Sequence, residues 1–356
     1  MRRYLRFAVP VVIFLLTLSG LLFLRQKLSP PEELDSPFVL QKWTAIKRGN
    51  PNRYPELNDL FRLPESESKL ELSCHGEHLG TTFYKINSFG LRDREADAPR
   101  SSHGIIAGCS FVFGHGLSSE EMITTHLSKL IPAVNVRNIS FPAGGLHTTL
   151  RYFELVDPRL FVPEEEGLFV YVMINDHLNR FLLHPSFLFW APPSAPYYRS
   201  VDGKVTYAGT LQKYPPFASA RAQGKPRRLD NLPVRILGGN DRHEKKDLEF
   251  FVAGVVELRR RYLEKFPKGR FLWVIHPLGG LDPEYRPELE RLAALHGLKI
   301  LHADKDFQAL AKTGAFKGKP QLLPHNPHPS GANNAYFAGW LRENVFGVVS
   351  EGTVKR

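Results

Sequence analysis

The feature that most constrains this chain is an alternation of apolar strands and amphipathic helices from His103 onward. The strands are near-continuous apolar runs, a pattern typical of parallel strands that are buried on both faces. The candidate strands are Gly104–Gly108, Asn135–Phe141, Leu168–Ile174, Phe271–His276 and Leu298–Ala303. The candidate helices are Glu120–Ile131, Leu146–Val156, Glu244–Phe266, Glu288–His296 and Ala332–Val345. The alternation predicts an α/β fold in which helices cover both faces of one parallel sheet of about five strands.

A serine lies in a tight turn directly after the first candidate strand. Residues 108–114 read GCSFVFG, and a helix-like segment begins at Ser118. A strand, a glycine-bounded turn and a helix place a hydroxyl at the carboxyl edge of a parallel sheet and aim backbone N–H groups at whatever the hydroxyl attacks. Small residues also occur at strand–helix junctions for steric reasons. Ser110 is therefore a candidate nucleophile only in combination with other segments.

Three further segments lie at strand ends or before the last helix, where the ligand site of a parallel sheet is found. Residues 138–145 are a strand followed by a turn of small residues, residues 172–177 end a strand in an amide side chain, and residues 325–331 carry His328. Acyl transfer needs a nucleophile, a base that takes its proton and donors for the oxyanion. We therefore expect Ser110 to attack and His328 to act as the base.

The oxyanion needs hydrogen-bond donors around it. The expected donors are the Ser110 N–H, a backbone N–H in the turn at Ala143 or Gly144, and the side chain of Asn175. Asn175 has an alternative role as the cap of the helix that follows it.

His328 has two alternative roles, that of a structural histidine in its loop and that of a metal ligand. It lies three residues after His325, a spacing found in metal pairs, but no third ligand stands at a suitable distance along the chain. No metal and no organic cofactor is therefore expected.

In this order the serine, glycine, asparagine and histidine segments resemble the SGNH/GDSL hydrolase superfamily over residues 87–345. Residues 87–92, NSFGLR, also resemble a strand often found ahead of the nucleophile in exported members. The resemblance implies a flavodoxin-like, three-layer α/β/α sandwich. It further implies an activity of the kinds known in the superfamily, whose members are mostly esterases, lipases, carbohydrate deacetylases and O-acetyltransferases.

The chain departs from the family pattern at two places. Cys109 stands where the family has the aspartate of Gly-Asp-Ser, an exchange that we expect to be harmless. Before the histidine the family usually has an aspartate, and here the corresponding positions are Asn326 and His325. Asn326 can orient the imidazole through a hydrogen bond but lacks the charge that stabilises an imidazolium. Asp304 and Asp306 are alternative sources of a carboxylate.

The N-terminus carries a membrane signal. Residues 1–6 are basic, Phe7 to Leu24 is an uncharged apolar run, and Arg25 and Lys27 follow it. The run has about the length that a helix needs to cross a bilayer core. A cleaved signal peptide is the alternative, but no small-x-small cleavage site follows the run. We expect residues 1–28 to be an uncleaved signal anchor in a bacterial inner membrane, with the rest of the chain in the periplasm.

The remaining chain divides by composition. Residues 29–100 are expected to form a proline-marked linker and an N-terminal extension with short strands at Leu70–Cys74 and Thr81–Ile86. Residues 101–350 hold the alternating pattern. An aromatic and proline-rich insertion at about 183–241 interrupts it and suits a lid or a substrate wall.

The net charge bears on which classes of molecule the protein binds. The net charge is +11, but the basic residues are scattered and no nucleic-acid-binding motif accompanies them, so no nucleic acid is expected. A cationic surface is equally compatible with anionic membranes or acidic glycans.

The two cysteines, Cys74 and Cys109, could pair after export, but Cys109 is expected to be a small buried residue.

These features predict an extracytoplasmic serine esterase, anchored to the membrane, that hydrolyses an O-acyl ester of a lipid or an acylated carbohydrate. Two alternatives stay open. One is an O-acetyltransferase that modifies cell-envelope or secreted polysaccharide, and the other is a catalytically inactive glycan- or lipid-binding module on the same fold.

Overall fold

The computed structural model describes residues 40–48, 66–74, 77–93, 100–188, 190–217, 242–323 and 326–347. The expected signal anchor, residues 1–28, lies outside these ranges. Within them, no helix combines the length and the apolar character needed to cross a bilayer.

The described strands are β1 Leu40–Arg48, β2 Ser66–Cys74, β3 Glu77–Ile86, β4 Ser102–Gly108, β5 Val134–Ser140, β6 Glu166–Met173, β7 Pro196–Val201, β8 Lys204–Thr210, β9 Lys268–Ile275, β10 Ile300–His302, β11 Leu322–Leu323 and β12 Asn326–Pro329. The described α-helices are α1 Ser110–Phe113, α2 Ile123–Leu130, α3 Leu146–Leu155, α4 Asp176–Phe181, α5 Pro185–Leu188, α6 Lys245–Lys265, α7 Arg286–Leu295, α8 Ala303–Lys312 and α9 Gly331–Leu341.

The centre of the fold is a five-stranded sheet in the order β10-β9-β6-β4-β5, and every neighbouring pair in it is parallel. Counted along the chain within this sheet, the order is 2-1-3-4-5, which is the flavodoxin-like arrangement. The predicted α/β fold with one parallel sheet of five strands is confirmed.

Both faces of the sheet are buried. Successive side chains of a strand point to opposite faces, so neighbouring residues of one strand enter different cores. In β6, Phe169 and Tyr171 belong to a core covered by α3, α6 and α7. Val170 and Val172 belong to a second core covered by α2 and α9. This double burial explains why the strands read as continuous apolar runs in the sequence.

The parallel register brings three strand ends to one edge. Gly108 at the end of β4 pairs with Ser140 at the end of β5, and Ala107 pairs with Tyr171 near the end of β6. The chain reverses its order across the sheet between β4 and β6, and a crevice for ligands forms at such a switch point. The segments that follow these three strands carry the candidate site.

The first strands lie outside the central sheet. β1, β2 and β3 form a separate antiparallel sheet, and the expected short strands Leu70–Cys74 and Thr81–Ile86 lie within β2 and β3. β1 was not expected. Its alternation is weak in a segment rich in lysine and arginine.

The insertion holds a helix and a hairpin. α5 is followed by the antiparallel pair β7–β8, and together they enclose a small core that includes Phe187, Tyr197 and Leu211. Residues 218–241 of the insertion are outside the described ranges.

One predicted helix differs in its bounds. The helix expected over 120–131 begins instead at Ile123, because a capping box between Ser118 and Glu121 holds residues 119–121 in a 3₁₀ turn.

The segment before the last helix forms a short antiparallel ladder, in which Asn326–Pro329 pairs with Leu322–Leu323.

Candidate active site

Ser110 and His328 are in direct contact. His328 Nε2 lies 2.8 Å from Ser110 Oγ, although 218 residues separate them in the chain. Ser110 is the first residue of α1 and is buried. In the tautomer with an unprotonated Nε2, the imidazole accepts the hydrogen bond of the serine hydroxyl, which is the geometry that a general base requires.

The position of His328 is set from both sides. Upstream, β12 pairs with β11, and the Ser330 N–H donates to the Gln321 carbonyl. Downstream, the Ser330 hydroxyl accepts the Asn333 N–H and caps the start of α9. The last helix and the short ladder together hold the histidine at the carboxyl edge of the sheet.

The imidazole of His328 is held in its neutral form. Burial, together with charge repulsion from His115 and Arg180, lowers its pKa to about 3. A neutral imidazole is the form that can take a proton from Ser110.

The two aspartates considered as triad acids are engaged elsewhere. Asp304 accepts a hydrogen bond from the Arg286 guanidinium at 2.8 Å and lies 3.3 Å from His302. Asp306 accepts the indole N–H of Trp340 at 2.8 Å. Asp304 and Asp306 are thus committed to structural contacts. Asn326 belongs to β12, but its side chain is outside the described part of the chain, and its expected orienting role stays a prediction.

Asn175 presents its amide without capping a helix. It stands immediately before α4, yet its side chain makes no capping bond to that helix, so the capping role is wrong. Its Oδ1 accepts the backbone N–H of Asp282 at 3.1 Å, and its own N–H donates to the Gly279 carbonyl. Because the amide oxygen is bound to the loop after β9, the NH₂ group is the part available to a ligand.

The turn after β5 changes one expected donor. The Gly144 N–H donates to the Phe141 carbonyl at 2.9 Å and closes a four-residue turn. Pro142 stands at the second position of this turn and Ala143 at the third, with a positive φ of 57°, as in a type II turn. The Gly144 N–H is therefore used within the turn, and Ala143 becomes the candidate donor.

Gly144 is nevertheless needed for steric reasons. A Cβ atom at this position would lie 2.7 Å from the Phe141 carbonyl oxygen and 2.9 Å from Thr148 Oγ1. Ala143 occupies a backbone conformation that costs an L-residue roughly 1–2 kcal/mol. Strained backbone of this kind is concentrated at functional sites.

Arg180 joins this turn to α4. Its guanidinium is buried, donates to the Gly144 carbonyl at 2.5 Å and forms an ion pair with Asp176 at 2.7 Å. Asp176 thus begins α4 and orients Arg180. The four-residue spacing of Asp176 and Arg180 was the signal in the sequence that could have found this pair.

Buried histidines surround the site. The Nδ1 atom of His177 and the Tyr171 hydroxyl form a hydrogen bond of 2.8 Å, and His177 is fully buried. His276 follows β9 directly, its ring contacts Phe111, and burial lowers its pKa to about 3. Sequence reasoning missed His276, although the rule that selected Asn175, a polar residue at a strand end, applies to it as well.

Comparison with known proteins finds solved structures of low identity. A salicylyl-acyltransferase from a tetracycline biosynthetic pathway matches at 14% identity and a TM-score of 0.38, over 78% of this chain and 60% of that chain. An acetyl xylan esterase from Butyrivibrio proteoclasticus matches at 11% identity and a TM-score of 0.39, over 80% of this chain and 71% of that chain. A member of the lipolytic G-D-S-L family from Veillonella parvula matches at 12% identity and a TM-score of 0.35, over 69% of this chain and 98% of that chain.

No protein-family model and no curated protein matches the chain. At these identities and TM-scores, it is the strand order that establishes the fold, and the site geometry that bears on function.

The buried histidines predict a stability that depends on pH. Burial lowers the pKa of His147 and of His276 to about 3 and that of His115 to about 4, whereas unfolded histidine has a pKa of about 6.5. Below pH 6.5 the unfolded chain therefore binds more protons than the folded protein. The free energy of unfolding should fall between pH 7 and pH 4 by up to about 1.4 kcal/mol per pH unit for each such histidine.

Urea unfolding at half-unit pH steps measures this slope. The variant His147→Leu removes one buried histidine and should reduce the slope by close to one proton. An unchanged slope in this variant would show that His147 is not kept neutral by the fold.

Proposed function

We propose that this chain is an SGNH-type serine enzyme that hydrolyses O-acyl esters. The observation that carries the proposal is the 2.8 Å contact between Ser110 Oγ and His328 Nε2 at the switch point of the parallel sheet. Asn175 follows β6 and the turn at Ala143 follows β5, so candidate oxyanion donors come from the two strands beside β4.

In the first step, Ser110 Oγ attacks the carbonyl carbon of the ester and its proton passes to His328 Nε2. The carbonyl oxygen takes up the electron pair and becomes an oxyanion. The Ser110 N–H, the Ala143 N–H and the Asn175 NH₂ are the proposed donors to it. When the tetrahedral intermediate collapses, the bond to the leaving alkoxide breaks and His328 returns the proton to that oxygen.

In the second step, His328 takes a proton from water, and the resulting hydroxide attacks the acyl-Ser110 carbonyl. Collapse of the second intermediate releases the carboxylic acid and reprotonates Ser110. If a sugar hydroxyl replaces water, the same steps give O-acyl transfer, so the acceptor alone distinguishes a hydrolase from a transferase at this site.

The proposed location is the periplasmic side of a bacterial inner membrane. The support is the basic N-terminus followed by the apolar run from Phe7 to Leu24. Substrates would then be small-molecule, lipid or carbohydrate esters outside the cytoplasm.

Removal of the nucleophile should abolish turnover. We expect Ser110→Ala to lose p-nitrophenyl acetate hydrolysis and labelling by a fluorophosphonate probe. Asn175→Ala should keep labelling but lose about 100- to 1000-fold in kcat, the usual effect of one oxyanion donor. Far-UV circular dichroism serves as the control for folding. Wild-type turnover by Ser110→Ala would refute the mechanism.

The low pKa of His328 predicts activity in mild acid. The base must be neutral, and a pKa lowered to about 3 keeps it neutral down to acidic pH. kcat/KM should therefore change little between pH 8 and pH 5 while the protein remains folded. A histidine of ordinary pKa would lose about 30-fold over this interval. Such a loss, with the fold intact by fluorescence, would contradict a buried neutral base.

The N-terminal anchor predicts membrane fractionation. The full-length protein should remain in the pellet after alkaline carbonate extraction and should retain Met1 by N-terminal sequencing. A soluble product whose N-terminus begins after residue 24 would show a cleaved signal peptide instead. A variant that lacks residues 1–28 should be soluble and equally active on p-nitrophenyl acetate.

A further inference from the structure

The segment Phe113–Leu117 is held by one buried arginine. Arg92 donates to the carbonyls of Phe113 and Gly114 through one guanidinium nitrogen, and to the Leu117 carbonyl at 2.6 Å through another. Its side chain is 2% exposed, and its guanidinium carbon lies 4.2 Å from the centre of the Tyr84 ring. Five N–H donors in a rigid plane allow one arginine to bind several carbonyls at once.

Strand β3 holds the same segment from the other side. The Tyr84 hydroxyl accepts the Gly116 N–H at 2.7 Å, and Thr82 Oγ1 donates to the Gly116 carbonyl at 3.0 Å. Both backbone groups of Gly116 are therefore satisfied by side chains of the N-terminal extension. This arrangement gives a physical reason for the presence of the extension beside the site.

The residue displayed by this segment is His115. It stands between Gly114 and Gly116, whose φ angles are 76° and 79°, and its own N–H donates to the Ser110 carbonyl at 3.1 Å. A side chain at Gly114 would meet the Arg92 guanidinium at 3.1 Å. The glycines are required by the left-handed backbone and, at Gly114, by the close approach of Arg92.

His115 lies against the candidate base. The centres of the His115 and His328 rings are 4.7 Å apart with an angle of 38° between the planes, a distance within the range of aromatic pairs. Phe111 contacts the same His328 ring at 5.5 Å. Among the described residues, two cations act on this pair: Arg92 repels a positive charge on His115, and Arg180 repels one on His328.

We propose that His115 is a positioning residue: held by Arg92 and strand β3, its neutral imidazole supports the His328 ring in line with Ser110 Oγ. The inference rests on the proposed esterase function. Because Arg92 and Arg180 oppose a second positive charge, the His115 and His328 rings together carry at most one added proton. During acyl transfer that proton resides on His328, while His115 remains an uncharged aromatic surface beside it.

The first test compares two replacements of His115. His115→Phe keeps an aromatic ring and should retain kcat within about threefold. His115→Leu keeps apolar bulk without a ring and should lose about 10- to 100-fold in kcat with little change in KM, because the base is misplaced relative to Ser110.

The pH profile separates positioning from mere structural support. In His115→Phe the neighbouring ring can no longer carry charge and compete for the proton, so the pKa of His328 should rise. The acid limb of kcat/KM should therefore move to higher pH. An unmoved acid limb together with equal kcat in His115→Phe and His115→Leu would overturn the inference.

The second test removes one hydroxyl from the support. Tyr84→Phe loses the acceptor of the Gly116 N–H and should lower kcat by about three- to tenfold. Tyr262→Phe is the matched control, because its hydroxyl bonds the buried His103 at the opposite end of β4, at 2.8 Å. Tyr262→Phe should change stability by a similar amount while kcat stays at the wild-type value. Equal kcat in both variants would contradict the role of β3.

Failure of the inference and failure of the proposed function give different results. If the wild-type protein neither reacts with a fluorophosphonate probe at Ser110 nor hydrolyses p-nitrophenyl esters of any chain length, both are wrong. If the wild-type protein is labelled and active and His115→Leu matches it, only the role of His115 is wrong.

Discussion

The site depends on one constraint: the parallel sheet must bring loops from distant parts of the chain to the same edge. Ser110 follows β4, while His328 belongs to a short ladder before the last helix, and their contact at 2.8 Å spans 218 residues. Neither side chain is placed by its own neighbours alone. The strands β4, β5 and β6 end side by side in the sheet, so the segments that carry Ser110, Ala143 and Asn175 begin at the same edge. The sheet is therefore the scaffold of the site.

Burial gives this site its electrostatic character. His115, His177 and His276 surround the candidate base, and each has a pKa lowered by desolvation, as His328 does. The fold thereby keeps a group of imidazoles neutral near a buried guanidinium, that of Arg180. The cost is stability in acid, because the unfolded chain gains protons that the folded protein excludes. A histidine paired with a carboxylate would have a raised pKa and the opposite dependence on pH. The pKa of the candidate base is instead lowered by burial and by charge repulsion from His115 and Arg180.

The N-terminal extension is joined to the site rather than appended to it. Tyr84 and Thr82 of β3 bind Gly116, and Arg92, just after β3, binds three carbonyls of the segment that displays His115. Every one of these hydrogen bonds links a side chain to a backbone group. They therefore hold the backbone conformation of the segment and do not depend on its side chains. The resemblance of residues 87–92 to a family segment therefore has a physical counterpart, which is the anchoring of the loop after the candidate nucleophile Ser110.

The sequence by itself determined the sheet, because strands buried on both faces leave continuous apolar runs and helices leave a 3.6-residue period. It also selected Ser110 and Asn175, since polar residues at strand ends converge at one edge of a parallel sheet, and it selected His328 in the segment before the last helix. Tertiary structure alone decided the remainder. The Gly144 N–H closes a turn that only backbone dihedral angles reveal, and Asp304 is paired with Arg286 through contacts that no spacing encodes. The contacts of His115 and Arg92 arise from packing between the extension and the sheet. The sequence does not reveal them, because a single buried histidine or arginine leaves no periodic pattern in the chain.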